Sequence, residues 1–145
     1  MLKVGYIGLG LMGKSIARNI LKAGFPMVIH NRSQAAVEEL VTEGAKKAST
    51  PAEVASRVDI IFTNLPDTPD VESVVLGANG VLSGGHPGLI YIDNSTIKPA
   101  AARLIASKLD EKGISALDAP VSGGDIGARN ATLTSMFVVS MESLD

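Results

Sequence analysis

Residues 3–13, Lys3-Val4-Gly5-Tyr6-Ile7-Gly8-Leu9-Gly10-Leu11-Met12-Gly13, decide the fold of this chain. An apolar run enters a turn in which Gly8, Gly10 and Gly13 keep the spacing G-x-G-x-x-G. The first glycine suits a tight turn out of a strand, the second lets backbone approach a pyrophosphate, and the third lets a helix pack closely on the strand. A helix follows from Lys14 to Ala23, with Met12, Ile16 and Ile20 on one face and Ala17 and Leu21 beside them. A second apolar run, Met27-Val28-Ile29, completes a βαβ unit. That context turns a common glycine spacing into a dinucleotide site. Gly8, Leu9, Gly10, Leu11, Met12 and Gly13 are its expected phosphate-binding turn, facing the amides and dipole of the helix N-terminus.

Outward from this unit, strands and helices alternate, which predicts a doubly wound, mostly parallel α/β sheet with helices on both faces. The 145 residues suit one domain, here taken as 1–145. Hydrophobic residues make up 46% and aromatics only 3%, so Val, Ile, Leu and Ala must build the interior, as they do in parallel sheets. The net charge of −2, without runs of either sign, gives no footprint for nucleic acid or an anionic membrane. Cysteine is absent, which excludes disulfides, thiol catalysis and thiolate metal sites. No secretory pattern opens the chain, so a cytoplasmic location is expected. His30 and His86 lack carboxylate neighbours along the chain and read as structural, and no metal site is expected.

Ser33 reads as the cap of a helix carrying Val37, Leu40 and Val41, which Gly44 ends. Thr50-Pro51-Ala52-Glu53 is a capping box with proline at the first helical position. A strand is expected over 58–63. Thr68-Pro69 opens a helix with Val71, Val74 and Val75 inward, followed by a loop-rich connection with glycines at 77, 80, 84, 85 and 88. Further strands are expected over 89–92, 114–117 and 133–139, and a helix over 99–112 carrying Leu104, Ile105 and Leu109.

Ligands of such sheets sit beyond the carboxyl ends of the strands. Three polar or turn-rich loops leave strands there: Asn64-Leu65-Pro66-Asp67, Asp93-Asn94-Ser95-Thr96 and Asp118-Ala119-Pro120-Val121-Ser122-Gly123-Gly124. With the glycine turn they are expected to ring one cleft. Asp93 and Asp118 read as loop caps rather than acids. The end of the second strand reads the adenosine ribose: an acidic residue there selects NAD, whereas an arginine accommodates the 2′-phosphate of NADP. This chain has His30-Asn31-Arg32-Ser33 and no carboxylate until Glu38. Asn31 and Ser33 offer hydrogen bonds and Arg32 a charge-assisted contact, so NADP is expected in preference to NAD.

The glycine turn, Leu65-Pro66-Asp67-Thr68-Pro69-Asp70-Val71, Asp93-Asn94-Ser95-Thr96 and the 118–124 loop together resemble the β-hydroxyacid dehydrogenases, the family of 3-hydroxyisobutyrate dehydrogenase and related semialdehyde reductases. The resemblance runs almost the whole length of the chain. It implies that Leu65 and Pro66 line the nicotinamide-ribose side, with Asp70 also on the cofactor side, and that Thr96 touches the cofactor near its reactive end. Ser122, Gly123 and Gly124, with Ser95, would bind a substrate carboxylate, and successive backbone N–H groups suit that role. Asn-Arg after the second strand goes with NADP-preferring members. The family's catalytic lysine sits on a later helix, before an all-helical domain that supplies most of the dimer contact. Asp145 precedes both, so no catalytic residue is expected within these residues and oligomers only with that domain. Lys14 and Lys98 sit at helix starts and read as solvated. The tail departs from the family pattern, with Ala131-Thr132-Leu133 and Val138-Val139 where glycines are usual.

The expected activity is hydride transfer between a nicotinamide and a 3-hydroxyacid or small semialdehyde. The alternative is a nucleotide-binding or interaction module without catalysis. A short-chain dehydrogenase is disfavoured, because Tyr6 and Tyr91 are followed four residues later by Gly10 and Ser95 rather than lysine.

Overall fold

The structure, a computed structural model, describes residues 2–120. The strand expected over 133–139 and the residues Ser122, Gly123 and Gly124 lie outside the described residues. The element order is β1 (Val4–Ile7), α1 (Leu11–Lys22), β2 (Met27–His30), α2 (Gln34–Thr42), β3 (Lys46–Lys47), α3 (Pro51–Arg57), β4 (Ile60–Thr63), α4 (Thr68–Leu76), α5 (Val81–Gly84), β5 (Ile90–Asp93), α6 (Pro99–Asp110) and β6 (Ser115–Asp118). The strands form one sheet in the order β3-β2-β1-β4-β5-β6, and every pairing is parallel. Chain order reverses between β1 and β4, so a crevice opens at their carboxyl ends.

Strand pleating divides the core in two. Val4 and Tyr6 of β1, Ile60 and Phe62 of β4, and Ile90 and Ile92 of β5 pack against Ile16, Ala17 and Ile20 of α1 and Val37 and Leu40 of α2. Tyr6 and Phe62 stack with ring centroids 5.5 Å apart. On the opposite face Ile7, Ile61 and Tyr91 meet Val54 and Val58, Val71 and Val75 of α4, and Ile105 and Leu109 of α6. Truncating a buried Ile or Leu here to Ala costs about 2–5 kcal/mol. Among the described residues no helix is long and apolar enough to cross a membrane.

Several local expectations change. The helix α1 starts at Leu11, so the third glycine lies inside its first turn. The glycine-rich connection contains the short helix α5, and two lysines form β3, an edge strand too brief and too exposed to show an apolar pattern. Val74 is only half-buried, and Leu104 is 46% exposed, because α6 turns Ile105 and Leu109 to the sheet instead. Thr50 Oγ1 accepts from the Glu53 N–H at 3.1 Å, as a capping box requires. The return bond differs: Glu53 Oε1 accepts from the Ser49 N–H at 3.0 Å. Ser33 stands at the N-cap of α2, but its side chain makes no cap bond.

Candidate functional site

The crevice between β1 and β4 holds a cleft of about 1130 Å³. Its walls come from the glycine turn, the β2–α2 connection, the loop after β4 and one face of α4. Gly8, Leu9, Gly10, Leu11, Met12, Gly13, Asn31, Arg32, Ser33, Leu65, Pro66 and Asp70 all line it. Three separately predicted stretches therefore meet in one place.

Each glycine of the turn has its own physical reason. Gly8 has φ +97°, and a Cβ there would lie 2.1 Å from the Asn64 carbonyl oxygen. A Cβ on Gly13 would lie 2.1 Å from the Gly8 oxygen, so this glycine lets α1 sit against the turn. A Cβ on Gly10 would meet nothing within 4 Å. Protein packing explains the first and third glycines, and only the open cleft explains the second. The first intrahelical bond of α1 runs from the Lys14 N–H to the Gly10 oxygen at 2.8 Å. The amides of the first turn precede that bond, and no side chain caps them at Gly10. Leu11 is 75% exposed at the cleft wall, an apolar surface placed where a ligand would cover it.

At the end of β2, Asn31 is turned inward. Its Oδ1 accepts from the Leu9 N–H at 2.9 Å, and its Nδ2 donates to the Ser33 carbonyl at 3.0 Å. The expectation that Asn31 is available to a 2′-phosphate is corrected to that extent: its amide already joins two loops of the protein. Arg32 and Ser33 are exposed and their side chains make no hydrogen bond or ion pair to any described residue. Among the described residues that line the cleft, Arg32 is the one Lys or Arg, and Asp70, across on α4, is the one carboxylate. Glu38 does not line the cleft and pairs with Lys47 at 3.3 Å. The β2 end of the cleft thus carries a cation without a described partner, and the space beside Gly10 is open.

The loop after β5 contributes differently from expectation. Ser95 is buried, and its Oγ accepts from the Leu65 N–H at 2.8 Å, so it fixes the cleft wall from behind. Thr96 is exposed and lies outside the cleft lining. Behind Ser95 stands a buried polar cluster on the register partners Thr63 and Asp93. Asp93 Oδ1 accepts from the Thr63 hydroxyl and from the Ser95 N–H, both at 2.9 Å, and Thr63 Oγ1 lies 2.7 Å from the Tyr91 hydroxyl. Asp93 caps its loop, as expected of it. Burial, helped by the nearby charge of Asp118, holds its carboxyl above the ordinary value of 3.8. Burial likewise raises the Tyr6 hydroxyl, which donates to Asn94 Oδ1 at 3.1 Å.

Both histidines hold backbone. His30 Nδ1 lies 3.1 Å from the Ala48 oxygen and His86 Nε2 lies 2.8 Å from the Val58 oxygen. Lys14 pairs with Glu39 at 3.2 Å, and Lys98 is exposed. Asn64, in a loop expected at the cleft, lines it, whereas sequence reasoning passed over Gln34, Ala36, Ser73 and Val74, which line it too. A signal for two of them existed: Asp70, Ser73 and Val74 stand at i, i+3 and i+4 on α4 and share a face.

The model of the family described as the NAD binding domain of 6-phosphogluconate dehydrogenase matches residues 3–145. The chain belongs to this family. Its relatives include mitochondrial 3-hydroxyisobutyrate dehydrogenase of Mus musculus, 41% identical over 133 residues, which are 92% of this chain and 40% of that enzyme. The crystal structure of 3-hydroxyisobutyrate dehydrogenase from Salmonella typhimurium matches with a TM-score of 0.79 at 35% identity, over 86% of this chain and 43% of that one. The structure of Psf3 in complex with NADP+ and 2-OPP matches with a TM-score of 0.78 at 31% identity, over 83% and 43%. The chain thus spans less than half the length of these relatives. Its fold and its family are those of an NAD(P)-binding domain of hydroxyacid dehydrogenases.

Proposed function

We propose that this chain binds NADP in the cleft and forms the cofactor half of an oxidoreductase acting on a 3-hydroxyacid or small semialdehyde. The observation that carries the choice of cofactor is Arg32, exposed at the β2 end of the cleft and uncommitted among the described residues, none of which brings a carboxylate to that end. Ser33, whose hydroxyl leaves the α2 N-terminus uncapped, adds a second donor beside it. The NADP+ bound by Psf3, a relative of the same fold, supports the same reading. The pyrophosphate lies over Gly10 and the first turn of α1, and the nicotinamide ribose runs along Leu65 and Pro66 towards Asp70.

The nicotinamide supplies or accepts the hydride. The residues of this chain hold and orient it, and Ser95 keeps Leu65 in register by accepting its N–H. Ser122, Gly123 and Gly124, beyond the described residues, are proposed at the substrate end, where backbone donors would hold a carboxylate, and Thr96 is proposed near the reactive end of the cofactor. Reduction of a semialdehyde also requires a proton donor at the developing alkoxide, and positioned acid–base groups contribute typically 10²–10⁴-fold. Lys14 is paired with Glu39 on the far side of the first turn and Lys98 is exposed, so neither takes that role. Residues 1–145 alone are expected to bind cofactor without appreciable turnover of glyoxylate or of tartronate, succinic or methylmalonate semialdehyde.

Titration of NADPH and NADH into the chain and its Arg32→Ala variant tests the reading. The parent should prefer NADPH, and the variant should lose about 1.5–3 kcal/mol of NADPH affinity, the range for a hydrogen bond to a charged group, with NADH unchanged. Equal parent affinities would overturn the assignment of NADP.

A further inference from the structure

The position after β2 is where related folds carry the residue that touches the adenosine ribose. In this chain Asn31 occupies it, yet both ends of its amide are used within the protein. The Oδ1 accepts from Leu9, in the middle of the glycine turn, and the Nδ2 donates to Ser33, in the β2–α2 connection. The Gln34 amide donates in turn to the Asn31 carbonyl at 3.1 Å, which closes the connection on itself. Leu9 is 3% exposed, and Asn31 supplies the acceptor for its N–H. The turn is held besides by the Gly8 N–H bond to the His30 oxygen at 3.2 Å, which reaches only its first residue.

We propose that Asn31 is a positioning residue: a neutral strut that fixes the pyrophosphate turn to the 2′-phosphate loop, rather than a ligand of the 2′-phosphate. The inference rests on the proposed NADP site. The strut has to be an amide, because it must accept at one end and donate at the other. A carboxylate would keep the acceptor for Leu9 but set a second oxygen against the Ser33 carbonyl. A strut acts on every ligand that carries a pyrophosphate, and a 2′-phosphate ligand acts on NADP alone. The two roles therefore separate by which cofactor suffers.

The test compares Asn31→Ala, Asn31→Asp and Arg32→Ala with the parent, each checked for folding by circular dichroism. Asn31→Ala should weaken NADPH and NADH by similar factors, on the order of tenfold for one buried N–H left unpaired. It should weaken adenosine 2′-monophosphate, which has no pyrophosphate, less than either dinucleotide. Arg32→Ala should weaken NADPH and adenosine 2′-monophosphate and spare NADH. Loss confined to NADPH in Asn31→Ala would overturn the proposal and make Asn31 a phosphate ligand.

Amide hydrogen exchange at Leu9, measured without cofactor, decides the strut independently of the NADP reading. Protection should fall in Asn31→Ala and persist in Asn31→Asp, whose carboxylate still accepts. Unchanged protection in Asn31→Ala would refute the strut even if every cofactor affinity followed the NADP reading. Equal NADPH and NADH affinities in the parent, with Leu9 protection lost in the variant, would refute only the choice of cofactor.

Discussion

The two sides of the β1–β4 crevice treat polar groups in opposite ways. Behind the loops after β4 and β5, Thr63, Tyr91, Asp93 through its Oδ1, Ser95 and the Leu65 amide bond to one another and are buried or half-buried, while Asp93 Oδ2 has no partner among the described residues. On the glycine-turn side, the Ser33 and Arg32 side chains face the cleft with hydrogen-bonding capacity left over. Buried polar groups left without partners are costly, so the first arrangement is how a fold holds a loop still. Exposed capacity gathered around an open space is how it receives a phosphate. The difference separates the residues that shape the cleft from those proposed to bind in it, although both sets occur in loops at the same sheet edge.

The glycines give the sharpest way to break this comparison. Gly10→Val should abolish NADPH binding while the protein stays folded, because the space beside Gly10 is open and its φ of −66° suits any residue. Gly8→Val should instead destabilise the fold, by roughly 2–6 kcal/mol from left-handed strain and overpacking against the Asn64 carbonyl. Circular dichroism melts beside fluorescence titration would separate the two. Retained NADPH binding in Gly10→Val would remove the pyrophosphate from the turn.

Ser95→Ala sharpens the other side. It leaves the half-buried Leu65 N–H without its acceptor and should lower stability by about 1–3 kcal/mol, read from urea unfolding. A still smaller effect belongs to Asp93. Its folded carboxyl titrates above the ordinary value of 3.8, so the folded protein holds that proton more tightly than the unfolded chain does. Stability relative to Asp93→Asn should therefore fall as pH rises above the ordinary value, and level off once Asp93 is ionised in both states. A parent that gains on the variant over that window would contradict the sign.

Much of this was legible in the sequence, and the reasons differ by element. The glycine turn could be read because each of its three positions meets a separate geometric demand, and the strands because buried parallel strands are continuous apolar runs. The cofactor preference could be framed because a single cation and a missing carboxylate stand at one strand end. The roles of Asn31 and Ser95 could not be read. Each hydrogen-bonds a backbone amide from another loop, 22 and 30 residues away, and no local pattern records such a pairing. The exposure of Leu104 escaped for a related reason: α6 is apolar on more than the face it buries, and only the packing of Ile105 and Leu109 chooses between them.

The central claim is that ligand binds where polar capacity is left over and not where it is already paired. Mapping backbone amide chemical shifts of the chain during titration with NADPH tests it most directly. The largest shifts should fall on Gly10, Leu11, Met12, Arg32 and Ser33, with Thr63, Tyr91 and Asp93 little moved. Shifts centred on Thr63, Tyr91 and Asp93, with the glycine turn and Arg32 unperturbed, would contradict it.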